Sequence, residues 1–447
     1  MLSLARTTET RSAPLDLGAY WMPFTANRAF KQAPRLIARA QDHNYWTDDG
    51  REVLDGFSGL WTTGLGHGRP EIADAVHRQL LTLDYAPAFQ IGHPGVFKLA
   101  TALAALAPDG LTQSFFTNSG SEAVETALKL ALAYHAARGK REKVRFVGRE
   151  RAYHGVNLGG LSVGGIAPNR EAFKPALLDT VLHLPATHNL AHNAFSKGQP
   201  LWGAHLADAL EDFIAEHGET IAAVIVEPVA GSTGVLPPPV GYLERLREIT
   251  LAHDILLIFD EVITGFGRVG AAFAAERFGV TPDVITTAKG LTNGAIPMGA
   301  VIVRQEIHDA LMQGPAHAIE FFHGYTYSGH PVAAASALAV LDIYARERSF
   351  AAARKLESVF ETRLHQAADA RHVRDVRNFG LMGAIELEPR EDAPGARGLE
   401  AHIRCFEQGV LVRNAGDTIQ IAPFLNGSAD EIDRTLTIVE KVIETLR

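Results

Sequence analysis

A single cysteine, Cys405, stands in 447 residues, so no internal disulfide can form, and a reducing, cytoplasmic setting is the expectation. No stretch approaches the roughly 18 consecutive apolar residues that a membrane span requires. A cationic surplus is missing too. The chain has 42 Lys and Arg against 51 Asp and Glu, a formal charge of −9, which leaves no broad positive face for nucleic acid or anionic lipid. An anionic substrate must therefore be met by a few local arginines or lysines. Met1 to Pro14 lack the apolar core of a secretory signal. Their Arg, Ser and Thr content has a transit-peptide flavour, which Glu9 and the short length oppose, so a loose tail is expected. There is no internal repeat and no low-complexity linker.

What is present is the composition of a soluble globular chain, 47% hydrophobic and 21% charged, long enough for a large domain and a smaller one. From about residue 70 to 330, short apolar runs alternate with helical patterns. Ser114–Thr117, Val144–Val147, Thr180–Leu184, Ala222–Val226, Leu256–Phe259, Val284–Thr287 and Met298–Val303 read as buried strands; Ser121–Arg138 and Gly241–Ala252 read as helices between them. That alternation predicts an α/β fold with a mostly parallel sheet covered on both faces. The expected division is 1–70 as an N-terminal segment, 71–334 as the large domain and 335–447 as a C-terminal part, with the two ends building a small α+β domain together. In the C-terminal part, Pro331–Arg346 and Ser428–Leu446 read as helices, with short strands near Gly383–Leu387 and Thr418–Ala422.

Ligands of such sheets bind beyond the carboxyl ends of the strands. Three strand ends carry chemistry. After Phe116-Thr117, the run Asn118-Ser119-Gly120-Ser121-Glu122 fits a capping box with Ser119 as N-cap. Its free N–H groups, glycine and hydroxyls also suit a phosphate; alone, it could be an ordinary capped helix. Ile255–Phe259 delivers two acids, Asp260 and Glu261. They could be solvated loop acids, ligands for Mg²⁺, or, for Asp260, a partner that keeps a pyridine nitrogen protonated. Val284–Thr287 leads to Lys289, set among small and apolar neighbours that lower an amine's pKa and make it a nucleophile. Phosphate seat, acid and lysine together are what pyridoxal 5'-phosphate (PLP) asks of a protein.

Two other patterns read weakly. Gly265-Phe266-Gly267-Arg268-Val269-Gly270 fits the dinucleotide fingerprint, with Asp283 downstream, but it does not open a helix directly after a strand. His188 and His192 are spaced i,i+4, yet no glutamate follows His188, so the metalloprotease arrangement is lacking.

In order and spacing, FFTNSGSEA, ERAYHG, VEPV, IFDEVITGFGR, TTAKGL and YTYSGHP resemble the motifs of class-III aminotransferases of PLP fold type I. The resemblance runs from about Pro23 to the C-terminus. Tyr20–Arg28, Gly59-Leu60-Trp61 and Glu320–Gly324 make it most similar to the branch that transfers amino groups from ω-amino acids such as β-alanine to pyruvate. The resemblance implies that Lys289 carries PLP as a Schiff base and moves protons. Ser119, Gly120 and Ser121 would hold the phosphate, with Thr326 supplied by the partner subunit of a homodimer or dimer of dimers. Tyr153 would cover one ring face, with His154 beside it, and Val262 the other. Asp260 would pair with the ring nitrogen and Glu227 would bond near it. Arg413 would grip the substrate carboxylate, and Trp61 would line the pocket opposite. The donor stays open: γ-aminobutyrate, taurine or a simple amine would suit the same motifs, as would a mutase or decarboxylase on the same scaffold. A nicotinamide dehydrogenase and a non-catalytic PLP-binding protein are the more distant readings.

Overall fold

The computed structural model describes residues 15–447; the tail expected at Met1–Pro14 lies outside them. Its central sheet has seven strands, in the spatial order Leu111–Thr117, Gly299–Arg304, Val284–Thr287, Leu256–Asp260, Ile221–Val226, Arg145–Arg149 and Val181–Leu184. Gly299–Arg304 runs antiparallel to both neighbours, and the remaining ladders are parallel. Each predicted strand of this region is present, with ends shifted by up to three residues.

The continuous apolar runs follow from burial on both faces. Alternate residues of the middle strands serve opposite layers. Val224, Val226, Leu257 and Phe259 cluster with Leu243 and Leu246 of the helix Tyr242–Ala252. Ala223, Ile225 and Ile258 cluster with Ala123, Ala127 and Leu130 of the helix Gly120–Ala137. Each fully buried Ile, Leu or Phe contributes about 1.5–3 kcal/mol, so the middle of this sheet is strongly stabilised by burial.

The two ends of the chain meet in a four-stranded sheet, in which Val410–Leu411 pairs in parallel with Glu52–Asp55 beside Asn44–Thr47 and Ile37–Gln41. A second sheet joins Val373–Phe379, Met382–Leu387, Thr418–Ile421 and Arg413–Ala415. The closing helix Ala429–Ile443 starts from a complete capping box, Ser428 with Glu431. Val373–Phe379 is not legible as a strand because its sequence, VRDVRNF, looks solvated. Asp375 and Arg377 are nevertheless both buried, paired with each other. The helices Pro70–Thr82 and Pro94–Leu106 also escape the sequence reading: each opens on a proline that serves as first-turn residue rather than as a breaker. Among the described residues no helix is long and apolar enough to cross a membrane.

Candidate active site

A cavity of about 300 Å³ opens at the carboxyl ends of the central strands. Ser119, Gly120, Ser121, Tyr153, His154, Glu227, Asp260, Val262 and Lys289 all line it. These come from separate strand-end loops, and the parallel ladders bring them to one edge.

Asp260 ends its strand and is 5% exposed. Its Oδ1 accepts from Val262 N (3.2 Å) and from Thr286 Oγ1 (3.1 Å), and its Oδ2 lies 2.8 Å from His154 Nδ1. Thr286 is its register partner on the next strand, a relation that no sequence motif reveals. Glu227 is held by main-chain donors, Tyr153 N (2.8 Å) and Gly231 N (3.1 Å). Burial pushes its carboxyl pKa up, and the charge of Asp260 adds to that. Lys289 turns with φ 42°, a left-handed backbone costing about 1–3 kcal/mol for a residue with a side chain. Burial lowers the pKa of its amine, against the pull of Asp260 and Glu227. The site thus holds a carboxylate in place and makes the lysine amine less basic than a free one.

The phosphate seat differs in detail from the expected capping box. Ser119 is the N-cap, accepting from Glu122 N at 3.2 Å. Glu122 Oε2 reaches past it to Asn118 N (2.7 Å), so the reciprocal half of the box shifts by one residue. The N–H groups of Gly120 and Ser121 begin the helix and have no turn before them to bond. A Cβ on Gly120 would sit 2.8 Å from Val262 Cγ1, and one on Gly155 (φ 94°) 2.5 Å from Ser121 Oγ. Glycine alone lets this floor close. Helix-start N–H groups, a fixed carboxylate and a lysine amine that line one cavity fit a phosphorylated pyridine aldehyde. His154 Nε2, buried without a partner among the described residues, aims further polarity at the same region.

Three expected residues stand apart from the cavity lining. Trp61 is 4% exposed and packs on Phe57 at 4.5 Å with the Arg268 guanidinium over its ring. Its ring is taken up by that packing, and the neighbouring Thr62 lines the cavity wall. Thr326 is exposed, its carbonyl accepting from Tyr85 Oη, and it makes no part of its own chain's cavity. Arg413 lies on the strand Arg413–Ala415 and keeps an exposed surface, although much of the space around its guanidinium is filled by protein. Burial lowers its pKa, and its charge bears on Tyr153 and Lys289. It makes no ion pair among the described residues. Gly155, Ile296, Pro297 and Met298 also line the cavity and were not anticipated.

The weak patterns resolve structurally. Glu261, next to Asp260, accepts from Thr264 Oγ1, Ala274 N and Ala275 N and caps the helix Ala274–Phe278; burial raises its pKa to about 7. In the glycine-rich loop, Arg268 is buried and donates to Pro423 O and Leu381 O. Asp283 is clasped by Arg247 and by Leu257 N. These residues join segments and leave no dinucleotide seat. His188 meets Asp375 and Glu386, but Arg377 already donates to both acids, so a guanidinium fills the cation's place. His192 stacks on Trp202 instead.

The family described as Aminotransferase class-III matches residues 25–443. The chain is similar to an omega-aminotransferase of Caulobacter vibrioides, 58% identical over 96% of this chain and 98% of that protein. It is also similar to a beta-alanine–pyruvate aminotransferase of Pseudomonas aeruginosa, 51% identical over 97% of each. Among solved structures, an amine transaminase from an uncultivated Pseudomonas species in its PLP-bound form superposes with a TM-score of 0.87 at 36% identity, covering 95% and 98% of the two chains.

Proposed function

This chain belongs to the class-III aminotransferases, and we propose that within that family it moves the amino group of an ω-amino acid, β-alanine foremost, to pyruvate. The products are alanine and an aldehyde, malonate semialdehyde from β-alanine. PLP is the cofactor of the family and, when bound, supplies a carbonyl for amine exchange and an electron-withdrawing ring. The observation that carries the reading is the meeting of Lys289, Asp260 and the Gly120–Ser121 helix start in one cavity.

Each residue then has a task. Ser119, Gly120 and Ser121 would hold the phosphate, and Tyr153 and Val262 would flank the ring. His154 would bind beside it through Asp260, whose carboxylate would face the ring nitrogen. Glu227 would bond at the ring's polar edge. Lys289 Nζ would anchor the cofactor's aldehyde carbon, give way to the donor amine, and then take the proton from the donor carbon that bears nitrogen. Its depressed basicity suits both tasks. Arg413, which pairs with no acid among the described residues, would grip the carboxylate of β-alanine or pyruvate, with Trp61 behind the Thr62 wall.

Thr326 would serve the phosphate of a second copy. Its exposed side chain and the apolar residues open around it and along the N-terminal arm, Phe89, Ile91, Phe322, Trp21 and Phe24, support a homodimer or a dimer of dimers. The single buried thiol, Cys405, suits a cytoplasmic enzyme. The test is a panel of β-alanine, γ-aminobutyrate, taurine and simple amines with pyruvate, followed by alanine formation. β-Alanine should be among the best donors. If it were inert while γ-aminobutyrate or taurine reacted, the donor would be reassigned; carbon dioxide release, or turnover without a keto acid, would point to a decarboxylase or mutase.

A further inference from the structure

The segment Phe57–Gly66 carries more backbone strain than its surroundings. Ser58 (φ 46°), Gly59 (φ 68°) and Trp61 (φ 62°) all adopt the left-handed region within four residues. A bulky residue such as Trp61 adopts that region only where neighbouring contacts impose it. Asp55, 1% exposed, accepts from Phe57 N through Oδ1 (3.0 Å) and from Gly59 N through Oδ2 (2.6 Å). His67 Nε2 holds the same Oδ2 at 2.9 Å, and Ser58 Oγ donates to Ala422 O at 2.7 Å.

The far end is fixed to the turn of the reactive lysine. Asn293 Oδ1 accepts from Leu65 N (2.9 Å) and its Nδ2 donates to Gly66 O (2.8 Å). Asn293 itself closes the turn that opens at Lys289, and Gly294 N returns to Lys289 O at 3.3 Å. Between the two clamps lies Thr62, on the cavity wall and so close to Gly294 that a Cβ there would meet its own Cβ at 3.1 Å. The segment is therefore a strap, strained in its middle and pinned at both ends, with one residue facing the chemistry.

The geometry points to Asp55 and Asn293 as positioning residues: they clamp the strap so that Thr62 forms a fixed part of the wall, and that fixed wall selects which amine donors reach Lys289. This rests on the aminotransferase reading above. Neither residue touches the phosphate seat, so loosening the strap should change donor choice before it changes cofactor binding.

The experiment uses the full-length, PLP-loaded enzyme with Asp55→Asn and Asn293→Gly, the latter keeping the left-handed turn while removing the side-chain bonds. Asp283→Asn, which breaks a buried clasp away from the cavity, serves as control. PLP affinity, KM and kcat are measured with β-alanine and with benzylamine against pyruvate. Both strap variants should bind PLP within about twofold of the parent. They should raise the KM of the preferred donor roughly tenfold with kcat within about threefold, narrowing the preference between the donors. The control should lose thermal stability and keep the preference. Unchanged donor preference in the strap variants, or an equal shift in Asp283→Asn, overturns the inference and leaves the aminotransferase reading standing. If Asp55→Asn does not fold, Asn293→Gly and His67→Gln decide by the same measurements. A parent enzyme that binds PLP but transfers from no amine would overturn the aminotransferase reading itself, and this inference with it.

Discussion

Two walls of the cavity are held by different means. On one, Asp260 ends a strand of a ladder buried on both faces, and Glu227 and Lys289 each follow such a strand within two residues. On the other, Thr62 comes from a strained strap, with Arg413 on a three-residue strand nearby, and distant parts of the chain pin that strap, as Ala422 holds Ser58 and Asn293 holds Leu65. A rigid sheet suits groups that must meet reacting atoms within fractions of an ångström, whereas loops can vary a pocket's shape at little cost to the fold. Substitutions on the strand-end wall should accordingly depress kcat, and those on the loop wall should raise KM.

The largest effect is expected at Lys289. Lys289→Ala should lower alanine formation by at least roughly 10³-fold, the middle of the range for a proton-transferring group, while the phosphate seat still binds PLP. Near-normal turnover would remove this residue from the chemistry. Asp260→Asn should lower kcat by about 10²-fold, comparable to losing one fixed electrostatic partner. Its neighbour makes the sharper contrast: Glu261→Gln should leave kcat within a few-fold, because Glu261 faces a helix start and not the cavity.

Glu261 should show instead in stability against pH. Its pKa is raised from 4.5 to about 7, so between those values the folded state binds more protons than the unfolded one. Stability from this group is therefore present below about pH 4.5 and is lost as pH rises through about 7. Thermal melts across that window should fall more steeply for the parent than for Glu261→Gln; parallel curves would refute the assignment.

Beside the loop wall, Arg413→Ala should raise KM for β-alanine and pyruvate by roughly 10–100-fold, the value of a charged hydrogen bond, and spare amines that lack a carboxylate. An equal loss with such amines would place Arg413 in packing rather than recognition. The smallest effect is expected for Thr326→Ala, a weakening of PLP affinity by about two- to tenfold, measured by cofactor titration. No change would detach Thr326 from the phosphate.

The same division explains what could be read from the sequence. Strands such as Leu256–Asp260 are uninterrupted apolar runs, so their ends, and the acid or lysine there, stand out. Asp260 and Glu261 were separable by motif, yet the reason for their difference, a helix start over one and a cavity beside the other, lies in tertiary contacts. The other wall is set by φ angles and by long-range pairings that leave little local trace. Trp61 was expected in the lining, but it packs on Phe57 and its neighbour Thr62 lines the cavity. Val373–Phe379 hides for a related reason: its buried charges neutralise one another only after folding.

The central claim is that Lys289 anchors the cofactor. Borohydride reduction of the PLP-loaded protein followed by peptide mass mapping tests it most directly. A pyridoxyl group on the peptide containing Lys289 is the expected result; a label on another lysine, such as the buried Lys143, or no label at all, would contradict it.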